Sequence, residues 1–183
     1  MGDTGSLTLG GIIAALAIVF ERLSSLRKSR VSPGRLLDEV MSVTRERLPS
    51  ADVVNKLRNA GSGVQAAHFV NGVAAGLSTK SGKIGFVGGM DIPLIRKFQC
   101  GYEQGAKSVN GKVEVFANMT GTTGAAWNDP AKGGELAKSQ FSKGADVVFA
   151  AAGGTGMGVY QAAKDSGKLA IGVDSNQNHL QPG

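Results

Sequence analysis

The sequence predicts an α/β protein built on a parallel sheet of about four strands, preceded by a helical N-terminal segment. Four short apolar runs, 83–87, 113–116, 146–150 and 169–173, each lead into a loop rich in glycine and polar residues. A helix-length segment separates each run from the next, and alternation of strand and helix is the pattern of a parallel, Rossmann-like sheet with crossover helices. The unusual loops all follow the runs, at the carboxyl ends of the expected strands. Open parallel sheets bind their ligands there.

Taken in order, the chain opens with Leu7 to Phe20, a nearly unbroken apolar stretch of 14 residues. A membrane-spanning helix needs about 20 residues. No Lys or Arg precedes the stretch, whereas Arg22, Arg27, Lys28 and Arg30 follow it, an order unlike that of a secretory signal. The apolar stretch therefore reads as a buried or partner-packed helix, with a signal-like or anchoring segment or a gene-fusion oddity as open alternatives, and residues 7–30 as a surface open to self-association or membrane contact. Ser32-Pro33-Gly34 breaks it, and Leu36, Leu37, Val40, Met41, Val43 and Leu48 recur at the spacing of an amphipathic helix. A shorter helix passes through Val53, Val54 and Leu57. We read residues 1–65 as a helical segment without chemistry and residues 66–183 as an α/β unit.

Ala66 to Leu77 is helical in pattern, with Gly72 and Gly76 permitting close packing. After the first strand, Pro93 suits a first helical turn because its missing N–H would be unpaired there anyway. Leu94, Ile95, Phe98, Tyr102 and Ala106 mark that helix's apolar face. The second strand runs into a long turn, and the next helix is entered through Asn128-Asp129-Pro130, with Asp129 as its cap. Leu136, Ala137, Gln140 and Phe141 give its spacing, and Lys143-Gly144-Ala145 ends it. A last helix runs from about Thr155 to Lys164.

Composition bounds the function. The net charge is +6, with 28 glycines and 42% apolar residues in 183. Basic side chains are spread among the expected helices without an aromatic set beside them, which argues against nucleic-acid binding. Cys100 is the single cysteine and falls within helix-forming residues, where a small buried hydrophobe is expected. His68 and His179 lack the spacing and acidic neighbours of a zinc site. No Cys–His or Ser–His pairing and no G-x-S-x-G occurs, so binding is favoured over turnover and no cofactor is assigned.

Three features remain. The loop Gly153-Gly154-Thr155-Gly156 lies between strand and helix, where backbone amides can face a ligand or merely make a tight turn. It follows the wrong strand for a dinucleotide fingerprint, and no glycine loop carries a Walker lysine. Trp127, the only tryptophan, lies in a polar loop at the ligand edge and either caps the core or stacks on a flat ligand. Asp174 ends a strand, and its carboxylate either caps the next turn or accepts bonds from a pair of neighbouring hydroxyls, as a ribose offers.

The residues GKIGFVGGMDIPLIRKFQCGYEQGAK and AAWNDPAKGGELAKSQFSKGADVVFAAAGGTGMGVYQAAKDSGKLAIGVDSNQN resemble the second lobe of the basic membrane protein family. These are substrate-binding proteins of ABC importers, similar to purine nucleoside receptor lipoproteins. The likeness is dense from about Ser81 to Gly183 and reaches back toward Ala66. It implies a type I periplasmic binding-protein lobe that helps close on a purine nucleoside, an ABC permease as partner, and a periplasmic or cell-envelope location. It also implies site residues. Trp127 matches the aromatic that stacks on the base, Asp174 the aspartate that holds ribose hydroxyls, and Met90, Asp91, Gly153 and Gly154 stand in loops that line the cleft.

The sequence departs from the family as well. Its first lobe is not visible in residues 1–65, no lipobox cysteine stands near the start, and Gly183 precedes the stretch expected to carry a cleft lysine. The expectation is one partial lobe, weak in binding alone, joined to a helical head. A non-catalytic scaffold whose N-terminal helices dock to a partner or membrane is the second reading, and with it a cytoplasmic location stays open.

Overall fold

The computed structural model describes residues 63–175 and 177–181; the readings made for residues 1–62 lie outside them. Helix α1 (Gly63–Ser78) leads into β1 (Lys83–Met90), α2 (Pro93–Val109), β2 (Glu114–Gly121), α3 (Pro130–Ser142), β3 (Val147–Ala151), α4 (Gly156–Asp165) and β4 (Leu169–Ile171). Single 3₁₀ turns follow β2 (Gly124–Trp127) and β3 (Gly153–Thr155), and a third spans Asn178–Leu180. The four strands form one parallel sheet in the order β2-β1-β3-β4, as the alternation predicts.

The period of two along the strands sorts side chains between two faces. Ile84, Phe86, Val147, Phe149 and Ala151 pack beneath Ala75 of α1 and Ile95, Tyr102 and Ala106 of α2. Val87, Val148 and Ala150 pack beneath Ala137 and Phe141 of α3 and Val159, Ala162 and Ala163 of α4. With helices on both faces, the central strands β1 and β3 are buried almost throughout, which is why they read as continuous apolar runs. The edge strand β2 is half-exposed and polar at Glu114 and Asn118, and it continues to Gly121, past the Asn118 at which the apolar run stops. Ladder bonds to β1 extend it there: Asn118 pairs with Val87 and Gly121 with Met90.

Two helix starts follow their local signals. Pro93 occupies the first turn of α2, and the Asp129 carboxylate caps α3 by accepting from the Lys132 N–H at 2.9 Å. Helices α1 and α2 approach until backbone touches backbone. A Cβ at Gly72 would overlap the Tyr102 carbonyl, and one at Gly105 the Phe69 carbonyl, so no larger residue fits at either crossing.

Two expectations are corrected. Cys100 is exposed rather than buried, because it lies on the side of α2 opposite Ile95, Tyr102 and Ala106, which face the sheet. Leu94 is also exposed, at 45%, although Ile95, Tyr102 and Ala106 are buried as expected. It stands about 100° around α2 from Ile95, off the stripe of Ile95, Tyr102 and Ala106 that faces the sheet.

The amino end of the sheet is closed by Asp146. Its carboxylate accepts from the Thr79 hydroxyl at 2.6 Å, the Lys80 N–H at 2.7 Å and the Ser81 N–H at 2.8 Å. One side chain thereby joins the turn after α1 to the start of β3.

Candidate ligand site at the carboxyl edge of the sheet

Strand order locates the site. From β1 the chain crosses to β2 on one side, and from β3 it crosses to β4 on the other, while β1 and β3 lie side by side. The direction of winding therefore reverses between them, and a crevice opens beyond their carboxyl ends. Trp127 lies over that crevice. Its ring rests on Gly89, where a Cβ would overlap Cε3 and Cζ3 and stand 3.1 Å from Cδ2. From the β3 side, a Cβ at Gly153 would stand 3.2 Å from the Trp127 carbonyl oxygen and 3.6 Å from Cε3. The two strand ends thus supply glycine where the indole needs room, and the ring is half-buried, in contact with the core below.

The turn that carries Trp127 is short and tight. The Ala126 N–H donates to the Thr123 carbonyl and the Asn128 N–H to the Ala125 carbonyl, each at 3.0 Å. Thr155, fully buried at the end of the β3 loop, holds the turn from below. Its hydroxyl donates to the Ala126 carbonyl and accepts from the Asp129 N–H, each at 2.8 Å.

Met90 and Asp91 close β1. Met90 is half-buried opposite Gly121, and the Asp91 N–H donates to the Gly121 carbonyl at 2.8 Å. The Asp91 carboxylate is engaged on both oxygens by Arg96, Oδ1 with Nε at 2.7 Å and Oδ2 with Nη2 at 2.6 Å. That paired geometry holds the carboxyl below its usual range, against a smaller opposing effect of desolvation. Gly154 lies beside the Asn128 side chain, and Gly153 turns the chain at φ 58°, a conformation open to glycine.

Asp174 stands at the same edge, three residues past the end of β4 at Ile171, so the strand is shorter than the 169–173 run expected and Asp174 does not end it. Its φ of 66° is the sole positive value outside glycine among the described residues. The Ser175 N–H donates back to the Val173 carbonyl at 2.8 Å, closing a three-residue turn of the rare, strained sign with Asp174 at its apex. The carboxylate is exposed. Behind it, the Tyr160 hydroxyl donates to Gln177 Oε1, which also accepts from the Val173 N–H at 3.2 Å. Burial, and to a lesser degree the Asp174 charge, push the Tyr160 phenol up to about 12.

All six residues singled out from the sequence, Met90, Asp91, Trp127, Gly153, Gly154 and Asp174, stand on one edge. Gly89 and Thr155 were given no site role, although Thr155 stands in the glycine loop named from the sequence. The partners of the Thr155 hydroxyl lie 26 and 29 residues away, and nothing local announces them. Among the described residues, no group of His, Cys, Asp and Glu is arranged to hold a metal ion, and no helix is long and apolar enough to cross a membrane.

Residues 53–183 match the profile of the family described as ABC transporter substrate-binding protein PnrA-like, or Bmp. The chain belongs to this family. Similar Bmp-type sequences include basic membrane protein D of Borreliella burgdorferi, 41% identical over 62% of this chain and 33% of that protein. The ABC transporter nucleoside-binding protein BmpA of Lactococcus lactis is 40% identical over 61% of this chain and 33% of its own length. The chain thus spans about a third of the length of the curated Bmp relatives it matches. In fold it resembles an ABC transporter system solute-binding protein from Conexibacter woesei, with a TM-score of 0.54 at 17% identity over 93% of this chain and 59% of that one. The Bmp membership expected from the two long stretches quoted above is the one found, on the α/β fold expected with it.

Proposed function

We propose that residues 66–183 act as a lobe of a solute-binding protein that receives a purine nucleoside at the carboxyl edge and serves an ABC uptake system in the cell envelope. The lobe binds and does not catalyse. Trp127 stacks on the base, the Asp174 carboxylate accepts from two ribose hydroxyls, and Met90, Gly153 and Gly154 border the ligand. Asp91 borders it as a carboxylate already neutralised by Arg96, which suits an uncharged ligand.

The observation that carries the proposal is the seat of Trp127 over the point where strand order reverses, supported by two glycines. The nucleoside class is supported by the name of the Lactococcus lactis relative. Stacking on one aromatic contributes about 1–3 kcal/mol, and each hydrogen bond to a charged acceptor adds about 1.5–3 kcal/mol net. Loss of ligand freedom costs about 4 kcal/mol or more. One face of a cleft therefore binds weakly, with Kd expected around the millimolar range, about −4 kcal/mol.

Titration with inosine, guanosine and adenosine, followed by Trp127 emission, tests the reading. Saturable change at millimolar nucleoside is expected. No change with any of the three removes the proposal.

A further inference from the structure

We infer that Thr155 is a positioning residue that sets the Trp127 indole in place before ligand arrives, by tying the loop after β2 to the loop after β3 through one hydroxyl. As regards ligand affinity, this rests on the function proposed above; as regards the indole itself, it stands alone.

The turn from Thr122 to Asp129 is mostly exposed, with Ala126 its one buried residue. Segments with so few buried contacts open at low free energy unless something anchors them. The Thr155 hydroxyl supplies that anchor on both sides of the pair Trp127-Asn128. It donates to the carbonyl immediately before the pair and accepts from the amide immediately after it, each at 2.8 Å. The donor and one acceptor site of the hydroxyl are therefore spent on this turn, and Thr155 itself is fully buried. Trp127 cannot shift along the crevice without breaking one of the two bonds. The same Asp129 whose N–H is held caps α3, so the tether ends on a rigid element. Because Thr155 follows Gly153 and Gly154 directly, the two borders of the crevice are fixed in register with each other. Holding an aromatic in its bound position lowers the ordering cost at binding.

Thr155→Val keeps the size and shape but removes both bonds, leaving the Ala126 carbonyl and Asp129 amide without their partner. In the full chain we expect acrylamide quenching of Trp127 to rise at least about twofold and inosine binding to weaken about tenfold, an effect in the range of a lost buried hydrogen bond. Thr155→Ser, which retains the hydroxyl, restores both readings. Thr79→Val, which removes a hydroxyl bond at the opposite end of the sheet, lowers the melting temperature and leaves Trp127 quenching unchanged. Unchanged quenching in Thr155→Val, no rescue by serine, or an equal change in Thr79→Val overturns the inference. If Thr155→Val does not fold, the serine variant against Thr155→Cys, which donates and accepts only weakly, is compared by the same quenching, and equal values overturn it. Wild-type protein that ignores inosine defeats the nucleoside reading alone, since quenching of the unliganded protein still decides the role of Thr155.

Discussion

A methyl group added at Gly89 tests where the indole sits. The new Cβ would stand 3.1 Å from Trp127 Cδ2 and nearer still to Cε3 and Cζ3. Carbon atoms pack at about 3.5–4.0 Å, so the ring must move by about 1 Å. The floor beneath is held by its flanks, because Gly88 pairs with Met119 of β2 and Ala151 of β3, and Met90 with Gly121 of β2. Overpacking of this kind costs about 1–3 kcal/mol, or roughly 5–10 °C in melting temperature for a unit of this size. If the ring swings out instead, less stability is lost and the emission of Trp127 shifts to the red. Thermal unfolding by circular dichroism and emission spectra of Gly89→Ala read the two responses. Gly111→Ala is the control, since a Cβ there meets nothing within 4 Å. An alanine variant that melts and fluoresces like wild type shows that the indole does not rest on Gly89, and the proposed stacking platform goes with it.

Further outcomes follow from other residues. Asp174→Gly removes a carboxylate but relieves the positive φ, so the melting temperature should hold or rise by the equivalent of about 1 kcal/mol. The inosine response should fall to that of hypoxanthine, the free base, and a variant that still prefers the nucleoside assigns the ribose elsewhere. His68, buried against Phe98 at 3.6 Å between ring centres, is held neutral by burial, its pKa lowered to about 4. The unfolded chain takes up that proton near pH 6.5, so about 3 kcal/mol of stability is lost as pH falls from roughly 6.5 to 4. Urea unfolding across that range should show the loss in wild type and a flatter profile in His68→Phe. Burial raises the Asp146 pKa, but its bonds from Thr79, Ser81 and Lys80 outweigh that and hold the pKa below normal. Its contribution is therefore complete above roughly pH 4 and disappears on further acidification, a step that Asp146→Asn should lack. Tyr160 loses its proton in the native protein only near 12, so stability should fall as pH rises from roughly 10 toward that value, and Tyr160→Phe should shrink the alkaline step in a melting series to the part left by Tyr102, whose phenol burial also raises.

Much of the fold is legible along the chain because its signals are local. Continuous apolar runs at Ile84–Val87 and Val147–Ala150 announce strands covered on both faces, and Asp129-Pro130 and Pro93 announce helix starts. The exposed Leu94 and Cys100 were harder. Both are apolar residues within a helical pattern but off the stripe of Ile95, Tyr102 and Ala106, and residue type alone does not say which stripe meets the sheet. The Asp91–Arg96 pair escaped for a similar reason, since Asp91 precedes the helix and its reach to Arg96 follows from the turn at the end of β1.

The sequence by itself determined the alternation of strand and helix, the direction of the strands and hence the edge on which Met90, Asp91, Trp127, Gly153, Gly154 and Asp174 fall. It also determined the Bmp family, through the motifs that border that edge. Only the tertiary structure decided the order β2-β1-β3-β4, which places the reversal of winding between β1 and β3. Only it showed Gly89 under the indole, the Thr155 hydroxyl bridging two loops and the strained turn at Asp174. The physical reason is range. Hydrophobic period and capping act within a few residues, whereas strand neighbours and buried hydroxyl partners are chosen by contacts among segments tens of residues apart.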